Sequence, residues 1–267
     1  MKYIQRLNKS LNMKLILPAL IIILFTSCSS KQKNDIENEG INGSVSKITL
    51  LTYDASEKFG EVQKGRLSSS DVQEVNDDGN VFKSTYTSFY NSSDDSIPGV
   101  KKSNYVFITL TKFNDKKQKI AFIDGKNNRV KSKYTYNSDG KISEINDYSD
   151  GKLSSKTKYS FVDGHLSESK QYYPDGSLNE IIKYKMGDDG WAVEEKKFSA
   201  ENEFKGRMTF SFKDNLIMGY NEYKGNTLDD AHEFKYAKFD NKKNWIVQYR
   251  YRNNEIESVV ERKLTYK

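Results

Sequence analysis

The sequence predicts an all-β protein, an antiparallel meander of repeated β-hairpins that forms an extended, largely single-layer twisted sheet. Two observations favour this fold class: a short pattern that recurs along the chain, and the weakness of helical periodicity after residue 40. In the pattern, Gly or Asn is followed two positions later by an apolar residue, and six positions after that by an aromatic residue. The regular copies occupy residues 128–234 and comprise Asn128/Val130/Tyr136, Gly140/Ile142/Tyr148, Gly151/Leu153/Tyr159, Gly164/Leu166/Tyr172, Gly176/Leu178/Tyr184, Gly190/Ala192/Phe198, Asn202/Phe204/Phe210, Asn215/Ile217/Tyr223 and Asn226/Leu228/Phe234.

The spacing within each copy predicts one turn and one strand. Six is an even separation, so the apolar and aromatic residues share one face of a strand, whereas on a helix they would diverge. Gly and Asn tolerate positive φ, and five of the glycines follow Asp, as in Asp139-Gly140, which is a strong hairpin signal. Copies recur about every 11 to 14 residues, too closely for parallel crossovers. The tyrosines at 136, 148, 159, 172 and 184 and the glycines at 140, 151, 164 and 176 are therefore interpreted as structural repeat positions.

Charged residues between the anchors predict a thin sheet. From Leu166 to Tyr172 the same face also carries Glu168 and Lys170, and charged side chains are seldom fully buried. Outside the repeats, residues 105–113 have apolar residues on both faces and predict a strand covered on two sides. Residues 256–266 predict a final strand, and residues 54–61 are the best short helix candidate.

The N-terminus predicts an exported lipoprotein. Residues 1–27 combine basic residues with an apolar run, as in a signal peptide, and Phe25-Thr26-Ser27-Cys28 resembles a lipobox. The apolar run is short for a membrane span, and Cys28, the only cysteine, is expected to be acylated. Residues 28–43 are polar and predict a flexible tether, and residues 44–267 predict the β-meander repeat domain. The alternatives for this segment are a plain transmembrane anchor or a cleaved secretory signal with an incidental cysteine. The sequence leaves open whether translation starts at Met1 or at Met13.

The amino-acid composition and the predicted export from the cytoplasm exclude nucleic acid as the expected partner. The chain has 43 basic and 37 acidic residues, but residues 1–27 hold four of the basic ones, which leaves about +2 after processing. Basic and acidic residues are interleaved along the remaining chain. We expect attachment to the bacterial outer membrane through the N-terminal lipid, on the periplasmic side rather than the cell surface.

The turn-strand units Tyr136 to Ile142 and Tyr173 to Leu178 resemble the units of YD/RHS-type repeats. The segments 43–65 and 236–266 are similar to the opening and ending of uncharacterised YD-repeat-like lipoproteins of Bacteroidetes. The resemblance covers almost the whole mature chain and implies a β-repeat fold. Large RHS proteins enclose a toxin, and this chain is several-fold too short for that.

No residue set predicts catalysis, a metal site or a cofactor. His165 and His232 are isolated from any regular ligand set. The acidic pairs 77–78, 94–95, 188–189 and 229–230 fall in predicted turns or at their edges, where Asp favours local backbone hydrogen bonds.

The aromatic residues are the remaining binding candidates. Tyr and Phe together number 32, and Trp191 and Trp245 are the tryptophans. Trp191 directly follows a turn glycine, which favours an exposed contact. We expect a non-enzymatic envelope lipoprotein whose extended sheet is an interaction surface for protein or glycan. The alternatives are a structural spacer without a ligand and, less favoured, an undetected glycan hydrolase.

Overall fold

The computed structural model describes residues 33–89 and 104–267, which contain one short helix and sixteen strands. The strands alternate in direction and are joined by short turns over most of the chain. The elements are α1 (Asp35–Asn38), β1 (Val45–Lys58), β2 (Glu61–Val75), β3 (Val81–Ser88), β4 (Tyr105–Phe113), β5 (Lys119–Asp124), β6 (Val130–Tyr136), β7 (Ile142–Ser149), β8 (Lys152–Val162), β9 (His165–Tyr172), β10 (Leu178–Met186), β11 (Ala192–Ser199), β12 (Phe204–Lys213), β13 (Leu216–Lys224), β14 (Thr227–Phe239), β15 (Trp245–Arg252) and β16 (Glu255–Tyr266).

The sheet closes into a barrel. Each strand pairs antiparallel with its neighbours in sequence, which confirms the predicted meander. The first and last strands also pair, from Val45 opposite Tyr266 to Asp54 opposite Ser258. The prediction of an extended twisted sheet is therefore wrong, because the sheet closes on itself. The pairing of β1 with β16 satisfies backbone groups that an open sheet would leave unpaired at its two edges.

One face of each strand lines the barrel interior. Residues paired across neighbouring strands lie on the same face of the sheet. For example, Tyr134 on β6 pairs with Ile145 on β7, which pairs with Thr157 on β8. In β6, side chains on this face are partly buried, whereas Lys131, Lys133 and Thr135 on the other face are exposed. Substantial contacts join only neighbouring described strands, apart from a small contact between β2 and β16. A barrel of sixteen strands is wide enough to leave an open interior, called the lumen below.

Successive copies of the repeat point their aromatic residues alternately into the lumen and outward. Tyr136, Tyr159 and Tyr184 have the parity of the inner face, while Tyr148 and Tyr172 have that of the outer face. The structural unit is therefore a hairpin made of two consecutive copies. The sequence of a single copy does not reveal this alternation, because every copy has the same internal spacing.

Closure is accompanied by a small apolar core at the seam, where β1 meets β2, β16 and the preceding segment. Helix α1 starts with a capping box, in which Asn34 and Glu37 exchange side-chain to backbone hydrogen bonds of 2.9 Å. Ile36 and Ile41 are buried against the first strands, in a cluster completed by Val45, Ile48 and Val75. Residues 33–43 therefore do not form the predicted flexible tether, because their two isoleucines are the apolar residues that pack here.

Two further expectations need correction. Residues 54–61, the helix candidate, form the end of β1, a two-residue turn and the start of β2. The predicted strand 105–113 is present as β4, but Tyr105 and Phe107 are more than half exposed, so its N-terminal part is not covered on both sides. Residues 256–266 lie within β16, as predicted. No helix in the described ranges is long and apolar enough to cross a membrane.

Candidate binding site in the barrel lumen

A row of tyrosines lines one wall of the lumen. Tyr134, Tyr159 and Tyr184 lie on the inner faces of β6, β8 and β10 and are evenly spaced in the sequence. Burial raises the pKa of all three, to about 12 for Tyr184, and also raises that of Tyr136 to about 12. These phenols are therefore neutral, and each presents an apolar ring face together with a hydroxyl.

Hydrogen-bonding groups lie between the tyrosines. Asp147 accepts hydrogen bonds from Ser132 Oγ at 2.7 Å and Ser155 Oγ at 3.2 Å. The hydroxyl oxygens of Ser169 and Tyr184 are 3.0 Å apart. Burial also raises the pKa of the Glu195 carboxyl, which pairs across the sheet with Tyr184. This wall thus combines ring faces with acceptors and hydroxyl donors, a combination that suits polyhydroxylated molecules.

A second wall carries arginines and further aromatic residues. The register aligns Phe234 with Arg250, and His232 with Arg252, on the inner faces of β14 and β15. His232 stacks on Tyr220 with ring centroids 4.3 Å apart. Arg252 hydrogen-bonds through Nε to Asp230 Oδ1 at 2.9 Å and also donates through Nη2 to Oδ2. These hydrogen bonds hold the pKa of Asp230 at about 2.

A hydrogen-bond network surrounds Asn244 at one mouth of the barrel, beside the seam, where this side chain is only 1% exposed. Its side chain accepts from Asn42 N at 2.7 Å, and donates to Asn42 O at 2.9 Å and to Tyr266 Oη at 2.7 Å. Tyr266 in turn donates to Asp240. The segment before β1 is therefore hydrogen-bonded to the turn before β15, and on the other side of β1 Ile36 N donates to Gly79 O in the turn before β3 at 3.1 Å.

Glu39 lies in this mouth. Its side chain is exposed to water, yet surrounding protein raises its pKa, an effect that the nearby Arg262 guanidinium opposes. Burial lowers the pKa of Arg262 to about 10. The Arg262 guanidinium lies 3.9 Å from the centroid of the Trp245 ring and donates through Nε to Trp245 O at 2.9 Å.

The two tryptophans predicted as binding residues lie at the same mouth but are not brought together. Trp245 is engaged by Arg262, and Trp191, in the turn between β10 and β11, stacks on Phe212 with centroids 5.4 Å apart. Both are partly buried rather than fully exposed. Sequence reasoning missed the lumen arginines and Tyr134, and the signal that would have found Tyr134 is its recurrence with Tyr159 and Tyr184 at a constant interval.

The outward aromatic residues are covered by cations from neighbouring strands. Lys133 lies 5.5 Å from the Tyr148 ring centroid, and Lys158 lies 5.7 Å from that of Tyr172. Lys183 and Arg207 cover Phe198 and Tyr223 in the same way, at 4.9 Å and 4.4 Å. The outer rings thus stabilise the wall by cation-π contacts, whereas the inner rings line the lumen.

The repeat glycines and most of the acidic pairs singled out in the sequence lie in the described part of the structure. Gly140, Gly151, Gly164 and Gly176 all have positive φ, consistent with their turn assignment. The acidic pairs 77–78 and 188–189 lie in turns, but 229–230 lie within β14. Cys28, the signal peptide and the pair 94–95 fall outside the described residues. Within the described part of the chain, no three His, Cys, Asp or Glu side chains are grouped to hold a metal ion.

Comparison with known proteins supports the fold. No family model matches the chain, and no curated protein matches it. The chain resembles the crystal structure of a porin-like protein from Bacteroides uniformis ATCC 8492, with a TM-score of 0.56 and 13% sequence identity over 82% of this chain and 97% of that one. At that identity the similarity shows a shared fold alone.

Two other similar structures have lower scores. The structure of TcdB2-TccC3-Cdc42 gives a TM-score of 0.28 and 10% identity, covering 74% of this chain and 12% of that chain. A DUF1329 family protein from Desulfovibrio piger ATCC 29098 gives 0.22 and 9% identity, covering 87% and 90%. Similarities this weak carry no functional argument, and the YD/RHS resemblance stays a prediction.

Proposed function

We propose that this protein is a lipid-anchored protein of the bacterial envelope that binds a glycan in the lumen of its barrel, without catalysing a reaction. The anchor is the acylated Cys28 predicted from the sequence, with the periplasmic side of the outer membrane as the expected location. The binding surface is the inner face of the sheet. The side chains of the outer face stabilise the sheet.

The observation that carries this proposal is the row formed by Tyr134, Tyr159 and Tyr184. Aromatic ring faces bind the apolar faces of sugar rings, and hydroxyl and carboxylate groups beside them bind sugar hydroxyls. Asp147 and Ser169 supply such groups between the tyrosines. Because the row repeats on every second strand, it presents several equivalent positions, which suits a ligand made of repeated units.

The outer face supports attachment through lipid rather than burial of the barrel in a bilayer. Barrels embedded in outer membranes carry an outward apolar band about 25 Å tall. Here the outward side chains of the central strands include many charged residues, and several of these are exposed. These residues are Lys131, Lys133, Lys156, Lys158, Glu168, Lys170, Lys183, Lys185, Glu194, Lys196, Glu233 and Lys235.

Closure of the sheet favours a glycan over a protein partner that adds a strand. Strand addition requires an exposed sheet edge, and the pairing of β1 with β16 leaves none in the barrel. A slender carbohydrate chain can instead enter a lumen that is lined by side chains.

The proposal is tested by screening the purified protein on a glycan array and measuring the affinity of each hit by calorimetry. Tyr184→Ala removes a ring from the lumen, and Tyr172→Ala is the matched control on the outer face. We expect about a tenfold loss of affinity, or about 1.4 kcal/mol, for the lumen variant and little change for the control. Circular dichroism establishes that both variants are folded.

Three outcomes contradict the proposal. Binding to no glycan favours the structural spacer, and equal loss in both variants places the ligand elsewhere. Glycan cleavage by the purified protein that disappears in Glu195→Gln favours the hydrolase, since burial raises the pKa of the Glu195 carboxyl, which lies beside Tyr184 in the lumen.

A further inference from the structure

Three arginines on the inner faces of β15 and β16 differ in how their charge is balanced. Arg252 forms an ion pair with Asp230. Arg262 stacks on Trp245 and is influenced by Glu39 in the mouth. None of the ion pairs formed by the described residues includes Arg250.

Arg250 occupies an aromatic environment within the lumen wall. Its Nε donates to Gln248 Oε1 at 2.8 Å, and its guanidinium carbon lies 5.8 Å from the centroid of the Phe234 ring. Burial lowers the pKa of Arg250, and the carboxylate that most opposes this effect belongs to Glu257, an exposed residue in β16. The described hydrogen bonds of Arg250 use Nε alone, which leaves its two terminal nitrogen atoms as donors for a ligand.

Arg250 is partly exposed to the lumen, so its guanidinium can be reached by a ligand. The surrounding protein disfavours its charged form, Arg nevertheless stays charged at physiological pH, and an anion bound beside it would offset that cost. The two terminal nitrogens of a guanidinium match the two oxygens of a carboxylate in a bidentate hydrogen bond. The wall around Arg250 therefore fits an anionic group attached to a flat, partly apolar body.

We propose that Arg250 is the anion-binding residue of the lumen and that the glycan bound there is acidic, with a carboxylate on its sugar ring. The carboxylate accepts hydrogen bonds from the Arg250 guanidinium, and the adjacent sugar ring contacts Phe234. Tyr236, whose cross-strand partner is Gln248, lies next along the same inner face. This inference rests on the proposed glycan-binding function and names the class of glycan.

The test compares oligogalacturonate with its methyl ester, in which the carboxylates are neutral, using calorimetry on the purified protein. A glycan array that contains neutral, uronic-acid and sialic-acid glycans is run in parallel. We expect the acidic form to bind at least tenfold more tightly than the ester, or the array to select acidic members. Arg250→Gln should abolish this preference, and Arg250→Lys should restore part of it, because Lys keeps the charge but not the bidentate geometry.

Lys185→Gln is the matched control, because it removes one positive charge from an exposed position on the outer face of β10 and leaves the lumen side chains unchanged. We expect this variant to keep the preference for the acidic form. The inference is overturned if only neutral glycans bind, or if Arg250→Gln retains the preference. In either case binding that is lost in Tyr184→Ala leaves the proposed function intact, whereas binding to no glycan at all overturns both.

Discussion

The seam and the repeat region hold the barrel together in different ways. At the seam, the fully buried side chains Ile48 and Val260 come from β1 and β16, and Asn244 is hydrogen-bonded on several sides. In the repeat region from β6 to β14, inner side chains are mostly only partly buried, and several outer rings are each covered by a lysine or arginine side chain. The seam therefore has a conventional small core, and the repeat region has a ladder of cross-strand pairs.

This difference explains how a sequence rich in charged residues forms a closed sheet. The repeats supply strands and turns, but each buries too little apolar surface to hold the two ends of a sixteen-strand sheet together. Ile36 and Ile41 pack at the junction of those ends, and the segment before β1 is hydrogen-bonded to the turn that precedes β15. Closure thus depends on segments outside the repeats, while the lumen surface depends on the repeats.

The largest expected effect is at the seam. Ile48→Ala should lower the free energy of unfolding by about 2–5 kcal/mol, because the side chain is fully buried and its loss leaves a cavity. Ile142→Ala, at a partly buried repeat position, should cost roughly half as much, since less apolar surface is removed from water. Chemical denaturation of the two variants and the parent protein measures both. Equal losses would show that the seam is no better packed than the repeats.

A smaller effect is expected from alkaline titration of the lumen tyrosines. The folded pKa values of Tyr136 and Tyr184, about 12, exceed the ordinary value of 10.0, so the folded state holds protons that the unfolded state has released between these values. The contribution of these two phenols to the free energy of unfolding is therefore fully present below about pH 10 and is lost as the pH rises towards 12. One unit of pKa corresponds to about 1.4 kcal/mol, and lumen water reduces this, so we expect about 1 kcal/mol or more per tyrosine.

Unfolding midpoints measured between pH 9 and 12, together with phenolate absorbance, check this expectation. Tyr184→Phe removes one titrating group and keeps the ring, so its stability should fall less steeply with pH than that of the parent. A slope unchanged in Tyr184→Phe would contradict the burial of that phenol.

The smallest effect is expected on the outer face. Lys158→Ala removes the cation over Tyr172 and should cost about 0.5–1 kcal/mol, the usual range for an exposed cation-π contact. Lys185→Ala is the control, because it removes an exposed lysine of the outer face for which no ring contact is described. Denaturation at low and high salt compares the two variants. A loss in Lys158→Ala no larger than in Lys185→Ala would mean that the outer rings contribute little through their cations.

The candidate site is only partly predictable from the sequence. The repeat pattern identifies Tyr159 and Tyr184, but it groups them with Tyr148 and Tyr172 because all four have the same local spacing. Which of them face the lumen depends on the register between strands and on the closure of the sheet. Arg250 carries no local signal at all, since its significance comes from Phe234 on a neighbouring strand and from the lack of a direct ion pair to Arg250 among the described residues.

The sequence by itself determined the strands, the turns and the antiparallel order, because these depend on interactions between residues close in the chain. An even spacing places side chains on one face, and Asp-Gly and Asn turns reverse the chain regardless of what lies beyond. Only the tertiary structure decided that the sheet closes and that alternate repeats face inward. Closure joins the first strand to the last, with Val45 opposite Tyr266, and no local pattern specifies a contact between segments so far apart in the chain.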